Sequence, residues 1–191
     1  FLRPIAGAAR AADLVAVGAT RALGAELAPV SFPDYRALHA ATRTLDGLEA
    51  HYSDAPLHVT GAGACGSAEL GGALVSAGFF RLLGLTPASG RFFRADEDAV
   101  PDRDPVAVLS YDLWQRLYAG SPQALSSRLS VNGVIFTVVG VAPPGFQGLG
   151  VSPVDLYLPL AMLRTGYRWC KDPFAADCAV LRMVGRLPAG G

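Results

Sequence analysis

The segment LSVNGVIFTVVGV, residues 129–141, decides the fold class of this chain. Its two apolar, β-branched runs, 129–132 and 134–141, are typical of strands. Between them, Asn132-Gly133 supplies two residues that tolerate a positive φ, which a tight hairpin turn requires. The segment therefore predicts two antiparallel strands joined by a two-residue turn.

Outward from this hairpin, short strand-like runs outnumber helical ones. Alternating or continuous apolar residues predict further strands at 13–17, 48–53, 56–60, 68–75, 106–109, 155–158 and 179–186. Helical spacing predicts helices at about 33–45, 77–83 and 111–118. Because strands cluster rather than alternate strictly with helices, we predict one α+β domain over residues 1–191, with mixed or antiparallel sheets, short helices and two lobes.

Capping residues support the three helices. Ser31, Ser76 and Ser110 each precede a helical run and are expected to act as N-caps. Pro33 and Asp34 suit the first turn of the first helix, whose apolar residues we place at Tyr35, Leu38, Ala41 and Leu45. Gly84 and Gly120 are expected to end the other two helices.

The candidate core follows from the same spacing. Its members are large apolar residues on the predicted helices and on the second strand of the hairpin: Phe79, Phe80, Leu82, Leu83, Trp114, Val138 and Val139.

Composition excludes several classes of protein. Apolar residues make up 51% of the 191 residues and charged residues 17%, so the chain is not a disordered tail. Sixteen basic residues balance sixteen acidic ones, and a nucleic-acid partner would require a basic surface. No stretch reaches the roughly 18 apolar residues of a membrane helix. The first residue is phenylalanine and no signal peptide follows it, so we interpret the chain as part of a longer protein.

Two motifs resemble enzyme sites only in part. Residues 61–66 spell G-x-G-x-x-G, but a strand-like run follows where a dinucleotide site needs a helix, so a glycine-rich hairpin is favoured. Residues 74–78 resemble a nucleophile elbow around Ser76 that lacks its first glycine. The three histidines, His39, His51 and His58, all precede that serine, which leaves a hydrolase as a remote alternative.

Metal and cofactor sites are not expected. His51, Asp54 and His58 could be metal ligands, yet the two histidines would point to opposite faces of a continuous strand. The acidic group Asp96, Glu97, Asp98, Asp102 and Asp104 lacks the glycine turn and late glutamate of a calcium loop. We therefore predict no catalytic, cofactor-binding or metal-binding residues.

The three cysteines leave two interpretations open. Cys170 and Cys178 lie eight residues apart across a turn-like segment and could form a disulfide in an oxidising compartment, or all three thiols could be free. If the pair is bridged, Trp169 and Phe174 would lie on a constrained loop that faces a partner.

An ordered set of motifs resembles the MacB-like periplasmic core domains of MacB/FtsX-type ABC transporter permeases. The motifs lie at 31–38 with 45–48, 75–85, 90–93 with 97–98, 105–114, 132–133, 136–143, 154–160 and 185–190. They cover about residues 30–191 in the family's order. The family domain continues past the last motif, so the resemblance implies that its C-terminal part lies beyond Gly191.

The resemblance implies a function without bond chemistry. Such domains lie between the first two membrane helices of a permease in the bacterial inner membrane, and they couple ATP hydrolysis by a cytoplasmic ABC ATPase to movement, partner engagement or substrate efflux in the periplasm. The implied partners are that ATPase, a periplasmic protein, and a second copy or a related permease in a dimer. A stand-alone secreted binding domain is the main alternative.

Overall fold

The computed structural model describes residues 9–20, 26–61 and 66–189. These residues form ten strands of one mixed sheet. The strands are β1 (Leu14–Val17), β2 (Val30–Ser31), β3 (Gly47–Thr60), β4 (Ser67–Val75), β5 (Ser89–Gly90), β6 (Val106–Leu109), β7 (Arg128–Val131), β8 (Val134–Val141), β9 (Leu156–Pro159) and β10 (Ala179–Arg186). The pairs β4–β9 and β6–β8 are parallel and the remaining pairs antiparallel. Together with the short helices, this confirms the predicted α+β class with a mixed sheet.

Six of the strands close into a ring. The order β3-β4-β9-β6-β8-β7 returns to β3, because β7 pairs both with β8 and with the end of β3 at Val59 and Thr60. The first part of β3 pairs with β10 on the same edge that β7 uses further along the strand, and β10 pairs with β1 and β2. The fold therefore has two parts, a six-stranded ring and an antiparallel extension, which share the 14-residue strand β3.

Two apolar clusters cover the two faces of this sheet. The first fills the inside of the ring and continues under the extension, and it includes Leu57, Leu74, Leu109, Phe136 and Leu158. The second lies outside the ring around Phe79 and Phe80. Neighbouring residues of one strand point to opposite faces, so Leu156 and Leu158 belong to the first cluster while Tyr157 belongs to the second.

A bulge in β3 marks the place where the ring meets the extension. Tyr52 pairs with Leu74 but Ala55 pairs with Gly72, so β3 contains one extra residue at this point, and Asp54 has a φ of 62°. An extra residue bends and twists a strand. The bulge lies where one strand passes from the extension into the ring.

Two of the predicted helices differ in their bounds, and a fourth helix was not predicted. They are α1 (Phe32–Ala41), α2 (Phe79–Leu82), α3 (Tyr111–Tyr118) and α4 (Leu163–Gly166), with single 3-10 turns at Ala11–Asp13, Ala95–Asp98, Pro122–Ala124 and Leu160–Met162. Helix α1 ends at Ala41 because Thr42 adopts an extended conformation, and Tyr35 is the buried residue of the helix while Leu38 is 44% exposed. Helix α2 begins two residues later than predicted, with Gly78 at its N-cap.

Other local predictions agree with the structure. Asn132 and Gly133 both have positive φ and connect β7 to β8 with Val131 opposite Val134. The Ser110 hydroxyl accepts a hydrogen bond from the Leu113 amide and caps α3. Gly84, with a φ of 70°, follows α2 as expected.

The candidate core residues divide into two groups. Phe79, Phe80, Leu82, Leu83 and Val138 are buried. Trp114 and Val139 are only half-buried and pack against the edges of the two clusters. Trp114 stays near the surface because its indole N–H donates to the Ser121 carbonyl, 2.9 Å away, and Val139 because it alternates with the inward-facing Val138.

We expect Phe80→Ala to destabilise the domain by about 3–5 kcal/mol, because it leaves a cavity among Phe79, Phe92, Phe146 and Tyr157. Chemical denaturation followed by circular dichroism measures this change. Val151→Ala is the control, since Val151 is 89% exposed, and its free energy of unfolding should stay within about 0.5 kcal/mol of wild type. Equal stability of the two variants would refute the assignment of Phe80 to the core.

Candidate functional site

A buried polar junction is centred on Glu49 of β3. Ser76 Oγ donates a hydrogen bond to Glu49 Oε2 at 2.5 Å, and the Tyr35 hydroxyl of α1 donates to the same oxygen at 3.4 Å. His39 of α1 lies 3.8 Å from Glu49 Oε1. Burial raises the pKa of Tyr35, and the neighbouring Glu49 charge adds to that effect. The junction therefore ties α1 and the turn after β4 to the middle of the sheet.

The prediction that Ser76 caps the following helix was wrong. Its hydroxyl instead accepts a hydrogen bond from the Ala50 amide at 2.9 Å while it donates to Glu49. The turn 76–78 is thus bonded to β3 before α2 begins, and any Cβ at Gly78 would overlap Glu49 Oε1. This packing explains both the later start of α2 and the glycine at its N-cap.

Ser76 also lacks the geometry of a nucleophile. It is 1% exposed, and within the described ranges its hydroxyl bonds to Glu49 and the Ala50 backbone rather than to a histidine. A serine nucleophile needs an adjacent base and access to substrate. The serine contributes to the structural junction, and the hydrolase alternative loses its candidate residue.

A second carboxylate, Asp98, flanks the same turn. Asp98 Oδ2 accepts a hydrogen bond from the Ala77 amide at 3.0 Å, and Oδ1 accepts one from the Ala161 amide at 2.7 Å. Burial raises the pKa of Asp98 to about 6, the two amides and Arg36 oppose that shift, and Glu49 reinforces it. Asp98 therefore joins the turn before α2 to the 3-10 turn after β9, and its burial disfavours the charged carboxylate.

The histidines considered as metal ligands lie in different environments. His51 is buried against Phe79, and burial, followed by the charge of Arg182, lowers its pKa to about 4. His58 is exposed. The bulge in β3 reverses the expected alternation, because the partners of His51 and His58 are Val75 and Glu69, six residues apart, which places the histidines on one face. Opposite faces were expected only for a regular strand, and the bulge makes β3 irregular between the two histidines.

The acidic segment 96–104 makes ion pairs and capping contacts. Burial alone would raise the pKa of Glu97, but the Arg91 guanidinium at 2.6 Å and the Arg94 amide outweigh it and lower that pKa. Asp102 pairs with Arg164, and Asp104 pairs with Arg103. In the part of the chain that the structure describes, no three His, Cys, Asp or Glu side chains come together as a metal site requires.

The glycine-rich segment joins two strands. Thr60 pairs with Ser67, so residues 61–66 connect the antiparallel pair β3–β4, and a strand follows Gly66 where a dinucleotide site would need a helix. Residues 62–65, with Cys65, lie outside the described residues.

The loop 167–178 is cross-linked and carries an exposed tryptophan, Trp169. A disulfide joins Cys170 to Cys178. Phe174 packs edge-to-face on Phe32 of α1, with ring centroids 4.9 Å apart, and the Arg164 guanidinium lies over the Phe174 ring. Arg164 also pairs with Asp172 at 3.0 Å. We name this segment the stapled loop.

The stapled loop separates its two aromatic residues. Phe174 was expected at an exposed tip beside Trp169, but it is half-buried and holds the loop against α1. Trp169 is 83% exposed. Tyr167, at the base of the loop, packs edge-to-face on Tyr52 at 5.0 Å. The loop is therefore fixed at several points and presents one large apolar side chain to its surroundings.

Comparisons with known proteins agree on one family. Residues 3–179 match the profile described as the MacB-like periplasmic core domain. The fold is similar to the crystal structure of the periplasmic region of MacB from Actinobacillus actinomycetemcomitans, with a TM-score of 0.66 and 15% identity over 93% of this chain and 75% of that chain. It is also similar to the extracellular domain of the noncanonic ABC-type transporter YknZ from Gram-positive bacteria, with a TM-score of 0.62 and 15% identity over 93% and 83% of the respective chains. A search of curated proteins found no significant match.

None of the helices in residues 9–20, 26–61 and 66–189 is long and apolar enough to cross a membrane.

Asp98 makes stability depend on pH. Its pKa is raised in the folded chain from an ordinary value of 3.8, so its contribution is fully present below that value and is lost as pH rises through about 6. We compare the free energy of unfolding of wild type with that of Asp98→Asn at each pH. The difference, wild type minus variant, should decrease by about 2 kcal/mol between pH 4 and 7. Urea denaturation at several pH values measures it.

The exposed Asp96 on the same 3-10 turn provides the matched control for this titration. Its Asn variant should keep the wild-type pH dependence. A constant difference between wild type and Asp98→Asn across the pH range would contradict the perturbed pKa of Asp98.

For the disulfide we expect the non-reduced, unfolded chain to take up one alkyl group, at Cys65, and the reduced chain to take up three. Intact mass spectrometry before and after reduction distinguishes the two states. Uptake of three alkyl groups without reduction would show that the bridge is absent and would remove one constraint on the stapled loop.

Proposed function

Since this chain belongs to the family of MacB-like periplasmic core domains, an extracytoplasmic part of ABC transporter permeases, we propose that it transmits movement driven by a cytoplasmic ATPase to the periplasm. The movement serves partner engagement or substrate efflux, and the parent permease acts as a homodimer or heterodimer. The family is not a catalytic one, and the buried state of Ser76 agrees with a domain that performs no bond chemistry.

The observation that carries this proposal is the path of β10 through the molecule. Arg186, at its C-terminal end, donates hydrogen bonds to the carbonyls of Ala9 and Leu82. Ala179, at its N-terminal end, pairs with Ser31 and directly follows the disulfide. Seven residue steps of a strand span about 23 Å. The first described residues and the stapled loop therefore lie at opposite ends of one strand.

This arrangement would let the domain act as a lever, meaning a rigid body that carries movement from its membrane end to its far end. If the segments that flank the domain enter the membrane, as the resemblance implies, the Ala9 end of the sheet faces the membrane and the stapled loop faces away from it. Strand β3 runs without interruption through both parts of the fold, and β10 pairs with it over five residues. Hydrogen-bonded strands with packed faces transmit displacement because such interiors have low compressibility.

The alternatives from the sequence have less support. A stand-alone secreted domain does not account for the match to a permease domain over residues 3–179. A hydrolase would need a reachable Ser76.

A distance measurement in the parent permease tests the lever. One spin label at Leu38→Cys, on the exposed face of α1, and one at the periplasmic end of a flanking membrane helix should report a changed distance when ATP is added. The pair Leu38→Cys and Arg81→Cys, both on the domain surface, is the control and should keep its distance because the domain moves as one body. Cys65 is replaced by serine in all samples, and the native disulfide is kept.

Replacing the phosphate-binding lysine of the ATPase should abolish the ATP-dependent change in this distance. A constant distance to the membrane helix while ATP is hydrolysed would contradict the proposal.

A further inference from the structure

The stapled loop is organised as a rigid support for one side chain. Four contacts fix it, namely the disulfide, the packing of Phe174 on Phe32, the ion pair of Arg164 with Asp172, and the packing of Tyr167 on Tyr52. Three of them bury or neutralise a side chain of the loop itself. Trp169 alone among the loop's aromatic residues points outward.

An exposed tryptophan on a fixed loop has the properties of a binding anchor. Tryptophan buries a large apolar area, and it is enriched among the residues that dominate protein–protein binding energy. A loop that is already ordered loses little conformational entropy when it binds. Because Trp169 is 83% exposed, its indole buries little area in the folded domain and is available for an external contact.

The charges around Trp169 indicate the chemistry of the partner. Arg168 precedes the indole and Lys171 follows it by two residues, and both are exposed. Neither forms an ion pair within residues 9–20, 26–61 and 66–189, whereas Asp172 is neutralised by Arg164. Asp177, also exposed, lies next to the second cysteine. Two exposed cations, neither of which forms an ion pair in the described ranges, thus flank the anchor in the sequence.

We propose that Trp169, flanked by Arg168 and Lys171, is the anchor by which this domain engages a periplasmic protein that offers an apolar pocket rimmed by carboxylates. The proposal rests on the proposed function, which places the stapled loop at the end of the sheet away from the membrane. That position favours a protein over a lipid surface as the occupant. The flanking cations would add binding rate and specificity through complementary charge.

Hydroxyl-radical footprinting of Trp169 tests the proposal without knowledge of the partner's identity. In the isolated 191-residue chain the indole should oxidise rapidly, because it is exposed. In intact cells that carry the parent permease it should be protected at least about fivefold. Trp114, which is half-buried against the ring, serves as the internal reference in every sample.

Two further samples separate a protein from a membrane. Washing the membranes with concentrated salt should restore oxidation, because salt screens a contact between cations and carboxylates. Vesicles of phosphatidylethanolamine and phosphatidylglycerol added to the isolated chain should leave Trp169 reactive. Protection by the vesicles would overturn the proposal in favour of a lipid contact, and unchanged protection after the salt wash would contradict the role given to the cations.

Charge-reversal variants test the role of the cations. Arg168→Glu combined with Lys171→Glu should remove the protection seen in intact cells. Arg81→Glu is the matched control, because Arg81 is an exposed arginine of α2 outside the loop, and it should keep the protection. Equal oxidation of Trp169 in intact cells and in the isolated chain would also overturn the proposal. The proposed movement of the domain is tested separately, with the spin label at Leu38. The footprinting result at Trp169 therefore does not bear on it.

Discussion

Closure of the six-stranded ring is the constraint on which the rest of the structure depends. Because β7 bonds to both β8 and β3, every strand of the ring has a fixed inside and a fixed outside. The inside is filled by side chains of the first cluster, so the outward residues must be covered separately. Phe79 and Phe80 of α2 provide that cover, and Phe80 packs on the outward Tyr157 of β9. The short strands β6 and β9 are therefore apolar at nearly every position, as expected where both faces are buried.

The polar junction around Glu49 is the exception that this packing tolerates. A buried carboxylate is costly unless its oxygens receive hydrogen bonds. Ser76 and Tyr35 supply them, and in doing so they join α1 and the turn before α2 to β3. Asp98 holds the other side of the same turn through two backbone amides. Parts of the fold that contribute few apolar contacts, such as α1, are thus fixed to the sheet by polar ones.

The sequence correctly predicts features that depend on residues close together in the chain. It does not predict features that are determined by contacts between residues far apart in the chain. Asn132-Gly133 and Ser110 were interpreted correctly because turn and cap preferences are local. Ser76 was misinterpreted because its partner, Glu49, lies 27 residues away and competes with the cap. The common face of His51 and His58 was missed because the bulge at Asp54 serves the junction of ring and extension.

The stapled loop shows the same division between local and distant information. The spacing of Cys170 and Cys178 left a disulfide as one of two open interpretations. The adjacent aromatic residues predicted a loop that faces a partner if the disulfide forms. That Phe174 turns inward could not be foreseen, because Phe32 and Arg164 come from other elements. The outward position of Trp169 became informative only once the loop's other aromatic residues, Tyr167 and Phe174, were known to pack inward.

The central claim is that the ring and the extension form one rigid unit through the shared strand β3. Native-state hydrogen exchange of the 191-residue chain tests it most directly. Amides of β4 and β9 in the ring and of β10 in the extension should all exchange through a single opening, with the same free energy as global unfolding. Exchange of β10 through a separate opening of markedly lower free energy would show that the extension moves independently and would contradict the claim.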